Sequence, residues 1–301
     1  NSYRSVYINQ VNGVIFTNNN LSQNDTSSQN YSGLYLASVN RLHRINQNQI
    51  TAKNLEYGMY LSSVFGQTII YRALISNNFI ASKGNTSSGT GFYFTSSENL
   101  NLFYNTVNLS GSNATGTRAI YLTSGSSINI RNNIFANLVG GYAYYVATTP
   151  SSWLSNYNDL FTNGTNLGYY NSAQYPTLAT WKSSTQADSN SINSNPYFIE
   201  WNNPLISEVT INGKAQVVSN VTVDLFNNPR SATTPDIGAV EFNVPQYYLS
   251  IINISQPASN YICNDPEVPI VVTIRNNGTD TIKFATNNVL FKASVDCSFN
   301  Q

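Results

Sequence analysis

The stretch Ile75-Ser76-Asn77-Asn78-Phe79-Ile80 carries a motif, apolar-x-x-Asn-x-apolar, that recurs through the first half of this 301-residue chain. Successive copies lie 29, 30, 27, 28 and 25 residues apart. Their asparagines are Asn19, Asn48, Asn78, Asn105, Asn133 and, in a weaker copy, Asn158. Recurrence at a nearly fixed period is the sequence signature of a repeat architecture.

A second motif, small-apolar-Tyr-apolar, recurs in phase with the first, as in Gly91-Phe92-Tyr93-Phe94. Its tyrosines are Tyr35, Tyr60, Tyr93, Tyr121 and Tyr145. Each repeat holds short β-type runs separated by Asn, Gly and Ser, and it must stack on its neighbours to bury its apolar face. The period is too short for a propeller blade of ~40–45 residues. It therefore predicts an all-β fold, a right-handed parallel β-helix.

The recurring asparagines have a structural task in such a coil. They would lie at one turn of successive coils, about 4.8 Å apart, where their side-chain amides can bond one another as a ladder. We expect this ladder at Asn19, Asn48, Asn78, Asn105 and Asn133. We also expect these asparagines to adopt the left-handed backbone conformation that Asn tolerates.

The recurring tyrosines are candidates for a functional surface. Each lies between two apolar residues, so the alternation of a strand turns it away from the core that buries its neighbours. Tyr35, Tyr60, Tyr93, Tyr121 and Tyr145 should thus form an outward column. The column has three interpretations: a platform for sugar rings, a face covered by another segment, or ring stacking without a ligand.

Composition excludes several classes of function. Only 9% of residues are charged and 14 basic residues balance 14 acidic ones, so the chain lacks the basic face that nucleic acids require. No apolar run approaches the ~20 residues of a membrane span. Asn, Ser, Thr and Gln replace the missing charges, as in many extended extracellular β-proteins.

The end of the repeat region has a distinctive pattern. Asp224 to Arg230 reads D-x-x-x-x-P-R, and Asp236 to Glu241 reads D-I-G-A-x-E. Over roughly residues 1–243 the chain resembles the right-handed parallel β-helix surface proteins of Bacteroidota-type bacteria that carry a choice-of-anchor Q ending. That resemblance implies export, often by the type IX secretion machinery, and a place in large adhesin-like cell-surface proteins.

The resemblance also assigns signature residues, which are Asp224, Arg230, Asp236, Gly238 and Glu241. Arg230 is placed to pair with Asp236 or Glu241 and so to close the end of the solenoid, where open strand edges need a cap. The three acidic residues are also a candidate calcium site. No other cofactor or metal is expected.

Residues 244–301 differ in character from the repeats. The segments 248–252, 268–274 and 289–292 alternate as antiparallel strands, and Asn276-Asn277-Gly278-Thr279 predicts a hairpin turn. The segment resembles part of a CARDB-like or immunoglobulin-like module. Cys263 and Cys297 are either a disulfide formed in an oxidising compartment or two separate buried thiols. Asp280-Thr281-Ile282 resembles an O-glycosylation motif of exported Bacteroidota-type proteins.

A polysaccharide lyase or glycoside hydrolase is the alternative function, because many β-helix proteins are such enzymes. A glycosidase needs two carboxylates ~5–9.5 Å apart, but residues 1–157 contain only Asp25, Glu56 and Glu98 as acids, in different coils. Candidate lyase bases are Lys53, Arg72, Lys83 and Arg118. The single histidine, His43, is interpreted as a surface residue of a strand.

The sequence thus favours a non-catalytic extracellular or cell-surface module, adhesin-like, that binds glycans or spaces other domains. Its expected domains are a β-helix with a cap over 1–243 and a partial immunoglobulin-like module over 244–301. The first residue is not Met, and we expect the chain to be a piece of a longer protein.

Overall fold

The structure is a computed structural model that describes residues 3–23, 30–84, 88–111, 115–148, 151–243, 246–256, 269–278, 280–286 and 289–290. It is all-β, with 49% strand and 4% helix. The chain divides into two compact units, Asn1–Phe242 and Asn243–Gln301.

The described residues of the first unit form twenty strands and one α-helix. In chain order they are β1 (Tyr3–Asn12), β2 (Ile15–Thr17), β3 (Asn20–Gln23), β4 (Tyr31–Leu42), β5 (Arg44–Asn46), β6 (Gln49–Ala52), β7 (Leu55–Gly66), β8 (Ala73–Ser76), β9 (Phe79–Ser82), β10 (Thr90–Thr95), β11 (Ser97–Phe103), β12 (Thr106–Leu109), β13 (Arg118–Leu122), β14 (Gly125–Arg131), β15 (Ile134–Asn137), β16 (Tyr142–Val146), β17 (Leu154–Asn156), β18 (Asp159–Thr162), β19 (Gly168–Tyr170), β20 (Ala173–Tyr175) and helix α1 (Leu178–Thr185).

These strands wind into a β-solenoid of about six turns, which confirms the predicted parallel β-helix architecture. Each coil gives one strand to each of three parallel sheets. The first sheet runs β1, β4, β7, β10, β13, β16 and β19, the second holds β2, β5, β8, β11, β14 and β17, and the third holds β3, β6, β9, β12, β15 and β18. The antiparallel β20 ends the first sheet.

The interior of the solenoid is filled by apolar residues at the same position of successive strands. In the first sheet, Leu34, Met59, Phe92 and Ile120 lie in one register and are fully buried. In the third sheet, Ile50, Ile80, Val107, Phe135 and Leu160 form a corresponding stack. Burial of each such side chain is worth ~1.5–3 kcal/mol, so the aligned stacks are the main source of stability.

The small position of the tyrosine motif is explained by close approach between coils. A methyl group added to Gly33 would lie 2.7 Å from the carbonyl oxygen of Gly58 and would also meet Ile50. Gly58 has the same relation to Gly91 and Ile80. Real Cβ atoms essentially never show contacts this short. Glycine is therefore required at these two positions for neighbouring coils to approach so closely.

An asparagine ladder runs along the turn between the second and third sheets. It consists of Asn19, Asn48, Asn78, Asn105, Asn133 and Asn158. Each Nδ2 donates to the Oδ1 of the next coil at 2.8–3.0 Å, and the main-chain N–H donates to the same oxygen at 2.9–3.0 Å. The second hydrogen of Nδ2 reaches a carbonyl of the preceding coil, such as Ile75 for Asn105. All members after Asn19 are fully buried.

The left-handed backbone conformation belongs to the residue before each ladder asparagine, not to the asparagine itself as we expected. Values of φ between 53° and 61° are found at Asn18, Gln47, Asn77, Tyr104, Asn132 and Tyr157. The reason is geometric: a left-handed residue makes the sharp bend out of the second sheet, and the asparagine that follows can then point inward along the axis.

Helix α1 closes the C-terminal end of the solenoid. Thr177 and Thr180 form its N-terminal capping box, and Trp181 is fully buried against Gly168, Tyr144 and Tyr170. The indole N–H of Trp181 donates to Oδ2 of the buried Asp188 at 2.9 Å.

The asparagine ladder ends on the same carboxylate. Asn158 donates from Nδ2 to Oδ1 of Asp188 at 3.1 Å, and the hydroxyls of Ser155 and Ser191 donate to that oxygen as well. Every hydrogen bond from one ladder asparagine to the next points its N–H toward this end, so a carboxylate is the favoured terminal acceptor.

The segment 195–242 lies along the side of the solenoid and not across its end; we call it the lateral cover. Its Leu225, Ala239 and Val240 pack on Phe79 and Ala81, and its Ile211 and Ile237 pack on Ile134 and Ala136. It contains one short 3-10 turn, Val209–Ile211. The cover is why β9, β12 and β15 are buried on both faces.

The lateral cover is held by the left-handed residues of four successive coils. Gln47 donates to the carbonyl of Asp224, Asn77 to that of Val223, and both Tyr104 and Asn132 to that of Gln216. The bend that orients the ladder inward thus also presents these side chains to the cover.

The second unit contains a two-stranded antiparallel sheet of β21 (Leu249–Gln256) and β22 (Val271–Asn276). The immunoglobulin-like module is not confirmed. Beyond β22, the described residues hold a turn at Lys283–Thr286 and no strand, so the hairpin expected at Asn276-Asn277-Gly278 does not lead into a third strand there.

We expect Asn105→Ala to destabilise the protein far more than Asn19→Ala. The buried substitution leaves one hydrogen of Nδ2 and the main-chain N–H of Asn78 without an acceptor. Oδ1 of Asn133 and the carbonyl of Ile75 each lose the Nδ2 donor of residue 105. Each buried group left unpaired costs ~1–3 kcal/mol. Guanidinium unfolding should show a loss of at least about 3 kcal/mol for Asn105→Ala, whereas partly exposed Asn19 should cost much less; equal losses would refute a cooperative ladder.

Candidate functional site

The tyrosine column lies on the outer face of the first sheet and has seven members. The register aligns Tyr7, Tyr35, Tyr60, Tyr93, Tyr121, Tyr145 and Tyr169. Tyr7 is 52% exposed and the others are partly exposed. The sequence motif predicted five of these tyrosines and not Tyr7 and Tyr169. Ser5-Val6-Tyr7-Ile8 nevertheless fits the pattern, and Gly168-Tyr169-Tyr170 fits part of it.

Most rings in the column stack on each other. The centroids of Tyr35 and Tyr60 are 4.1 Å apart at 12°, those of Tyr60 and Tyr93 4.6 Å apart at 5°, and those of Tyr145 and Tyr169 4.2 Å apart at 5°. Neighbouring strands repeat at about 4.8 Å, so these ring planes lie across the solenoid axis. These five rings therefore cover one another's faces and turn their edges to solvent. Tyr121 instead stands edge-on to Tyr93 and Tyr145, at 86° and 76°, and Tyr7 is tilted by 53° to Tyr35.

Two further tyrosines stand across the stack. Tyr57 meets the rings of Tyr60 and Tyr93 at 70° and 69°. Tyr142 meets those of Tyr145 and Tyr169 at 79° and 76°. Their planes thus run along the solenoid axis, the orientation in which a ring can lie flat against a chain that follows the column.

Two arginines contact the column. The guanidinium of Arg4 lies 3.9 Å from the ring centroid of Tyr35, and that of Arg118 lies 4.6 Å from Tyr121 and 4.5 Å from Tyr145. Burial raises the pKa of Tyr57, Tyr121 and Tyr145 above the ordinary value for tyrosine. The phenols therefore stay neutral at physiological pH and can both donate and accept hydrogen bonds.

A polar cleft of about 310 Å³ adjoins the last members of the column. It is lined by Thr115, Gly140, Gly141, Tyr142, Thr165, Asn166 and Gln174. Asn166 donates to Oε1 of Gln174 at 3.1 Å, and Gln174 donates to the hydroxyl of Tyr142 at 2.9 Å. The lining thus combines an oriented amide network, hydroxyls and one aromatic ring, and none of its described residues is charged.

The candidate catalytic residues do not converge in the described part of the chain. Glu98 pairs with Phe65 near the end of β7, whereas Glu56 lies at the start of that strand, roughly 20 Å or more away at ~3.3 Å per residue. Asp25 lies outside the described residues. Exposed His43 occupies the turn between β4 and β5 and not a strand.

The candidate lyase bases are distributed over three places. Lys53 and Lys83 follow the strands of the third sheet in adjacent coils, and Arg72 lies in the turn that leads into β8. Arg118 is at the tyrosine column, where its Nη1 also donates to the carbonyl of Gly116.

The five signature residues come together in the lateral cover. Arg230 pairs with Glu241 at 3.2 Å, donates to Oδ1 of Asn77 at 2.8 Å and lies 4.0 Å from the ring centroid of Tyr104. A methyl group on Gly238 would lie 2.8 Å from Oγ1 of Thr106, so glycine allows the cover to reach the third sheet. Arg230 therefore fastens the cover to the middle coils and does not close the end, which α1 does.

The side chains of Asp224 and Asp236 in the cover are occupied by main-chain donors. Asp224 accepts the N–H groups of Phe226, Asn228 and Glu241, and Asp236 accepts those of Gly213 and Phe242. Within the described residues no group of three or more His, Cys, Asp or Glu could hold a metal ion. Cys263 and Cys297 lie outside the described residues.

No protein-family model matches the chain, and no curated protein or solved structure was found to be similar to it. In the part of the chain that the structure describes, no helix has the length and apolar character needed to cross a membrane. The resemblance to exported bacterial surface proteins thus has support in the solenoid fold only.

A buried carboxyl lies where the chain passes from the solenoid to the lateral cover. Asp159 is fully buried, its Oδ1 accepts the N–H of Ser194, and its Oδ2 has no hydrogen-bond partner among the described residues. Burial, with a smaller contribution from Glu208, raises the pKa of Asp159 well above its ordinary value. Burial also raises the pKa of Asp236 to about 6.

We predict that Asp159→Asn stabilises the protein at neutral pH and has little effect near pH ~4. An unfolded carboxyl ionises near ~3.9, whereas folded Asp159 keeps its proton to higher pH, so the wild type loses stability as pH rises through that interval. Asn is permanently neutral and keeps the acceptor for Ser194. Guanidinium unfolding across pH should show the gain growing with pH, with exposed Glu200→Gln as the control; a pH-independent difference would contradict the prediction.

Proposed function

We propose that this chain is a non-catalytic carbohydrate-binding module that holds a glycan along the tyrosine column and in the cleft at its end. The proposal rests mainly on the position of Tyr142. Its ring stands across the stack, and its hydroxyl belongs to the amide network of the cleft. Sugars present apolar ring faces together with many hydroxyls, and such a site offers a matching aromatic face and hydrogen-bonding groups.

The cleft chemistry favours a neutral sugar. Gln174, Asn166 and Thr165 offer neutral donors and acceptors to a ligand in the cleft. The cleft volume falls within the ~300–1,000 Å³ of small-molecule sites. Edge-on phenols along the column would supply further hydrogen bonds to the rest of a glycan chain.

We further propose an extracellular or cell-surface setting for this module, as part of an adhesin-like exported protein. The low content of charge and the neutral polar surface support this. The choice-of-anchor Q-like ending, passage through bacterial secretion machinery and the immunoglobulin-like character of the last segment are parts of the same proposal and rest on sequence resemblance.

A lyase or hydrolase is the less favoured proposal. A hydrolase needs two carboxylates that face each other across one groove, and a lyase needs a basic residue beside an acid. The described acids Glu56 and Glu98 lie too far apart to form the carboxylate pair. If the column binds no glycan, a spacer role becomes the favoured function, since a solenoid separates its ends by a fixed distance.

A glycan array followed by titration calorimetry with the best neutral oligosaccharide tests the proposal. We expect Tyr142→Ala and Gln174→Ala each to weaken binding roughly tenfold, because each removes a contact worth about 1 kcal/mol or more. Tyr71→Ala is the matched control, since it removes a 67% exposed tyrosine outside the column. Absence of binding by the wild type, or equal losses in all three variants, would reject this site.

A further inference from the structure

One loop of the solenoid exposes three consecutive apolar side chains. It spans residues 67–72 and joins β7 to β8. In the preceding coil, the corresponding turn between β4 and β5 consists of the single residue His43. Ile69 is 59% exposed, Ile70 81% and Tyr71 67%. Such a contiguous set differs from the singly scattered apolar residues that are normal on a protein surface, since exposed apolar patches are typical of interaction sites.

The loop has a defined conformation. The hydroxyl oxygen of Thr68 accepts the main-chain N–H groups of Ile70 at 3.3 Å and Tyr71 at 3.0 Å, and the N–H of Thr68 donates to the carbonyl of Tyr71 at 3.3 Å. These bonds close a tight turn whose tip is the apolar triplet. The side chains are therefore presented to solvent by the turn itself.

Positive charge surrounds the base of this loop. In the preceding coil, Leu42 pairs with Gly66 and Arg44 pairs with Leu74, which places the exposed residues Arg41, His43 and Arg44 beside the loop. Arg72 ends the loop. Burial, together with the nearby positive charge of Arg131, lowers the pKa of Arg72.

One negative charge lies at this base, on Glu98 of the following coil. Glu98 is the parallel-strand partner of Phe65, near the end of β7. Three arginines, Arg41, Arg44 and Arg72, against one carboxylate is a local excess of positive charge in a chain whose formal net charge is zero. An apolar tip backed by cations matches the layers of an anionic lipid surface, in which an acyl region lies beneath phosphate headgroups. Tyrosine is the residue type enriched at that boundary.

We propose that the loop is a lipid-docking tip: Ile69, Ile70 and Tyr71 enter the acyl boundary of an anionic lipid layer, and Arg41, Arg44 and Arg72 contact its phosphates. This interaction is peripheral and needs no membrane span. It is also independent of the carbohydrate site, because the loop lies at the turn between the first and second sheets, whereas the cleft lies beside the last coils of the first sheet.

Vesicle flotation tests the proposal, with phosphatidylcholine vesicles that contain or lack phosphatidylglycerol. The wild type should bind the anionic vesicles more strongly, and salt should weaken that binding. The triple substitution Ile69→Ser, Ile70→Ser and Tyr71→Ser should lower partitioning at least about tenfold on the anionic vesicles. Arg41→Gln with Arg44→Gln should lower it by about fivefold per charge on anionic vesicles only.

Ile199→Ser is the matched control, since it removes a 56% exposed apolar side chain from the lateral cover, away from the loop. Circular dichroism would establish that each variant is folded. Failure of the wild type to float with either vesicle, or equal flotation of the wild type and the triple variant, would overturn the proposal. So would concentration-dependent self-association of the wild type that the triple substitution abolishes, because the tip would then be a protein contact.

Discussion

The structure depends on the requirement that every coil repeat the phase of the one before it. The buried asparagine amides meet this requirement because each uses its oxygen and both its hydrogens on adjacent coils. A shift of one residue would leave several of these groups unpaired in the core, at ~1–3 kcal/mol each. The apolar stacks supply most of the stability, and the amides fix the register in which those stacks can form.

Much of the solenoid was predictable because it is periodic. The asparagine and tyrosine motifs share one period, and strand alternation places aliphatic and aromatic residues on opposite faces. Leu34 and Leu36 are fully buried while Tyr35 between them is partly exposed, as that alternation requires. Tyr7 and Tyr169 extend the column because they occupy the same phase, although the motifs around them are less complete.

The parts that sequence reasoning missed are those without a period. Nothing in the pattern of residues 195–242 indicates that they fold back along the third sheet. This packing depends on contacts with Phe79 and Ile134, which are distant in sequence. The sequence motif likewise predicts that Arg230 closes the end of the solenoid, because nothing in the motif shows that its segment folds back along the side. The cleft beside Tyr142 joins residues from 115 to 174, and only the folded chain brings them together.

The lateral cover fixes the number of coils that lie beneath it in the solenoid. Its hydrogen bonds to Gln47, Asn77, Tyr104 and Asn132 span four consecutive coils. Duplication or deletion of a coil beneath it would displace those bonds by about 4.8 Å. Insertion or deletion of a coil between Gln47 and Asn132 is therefore disfavoured, whereas the coil ahead of Gln47 takes part in none of these four bonds.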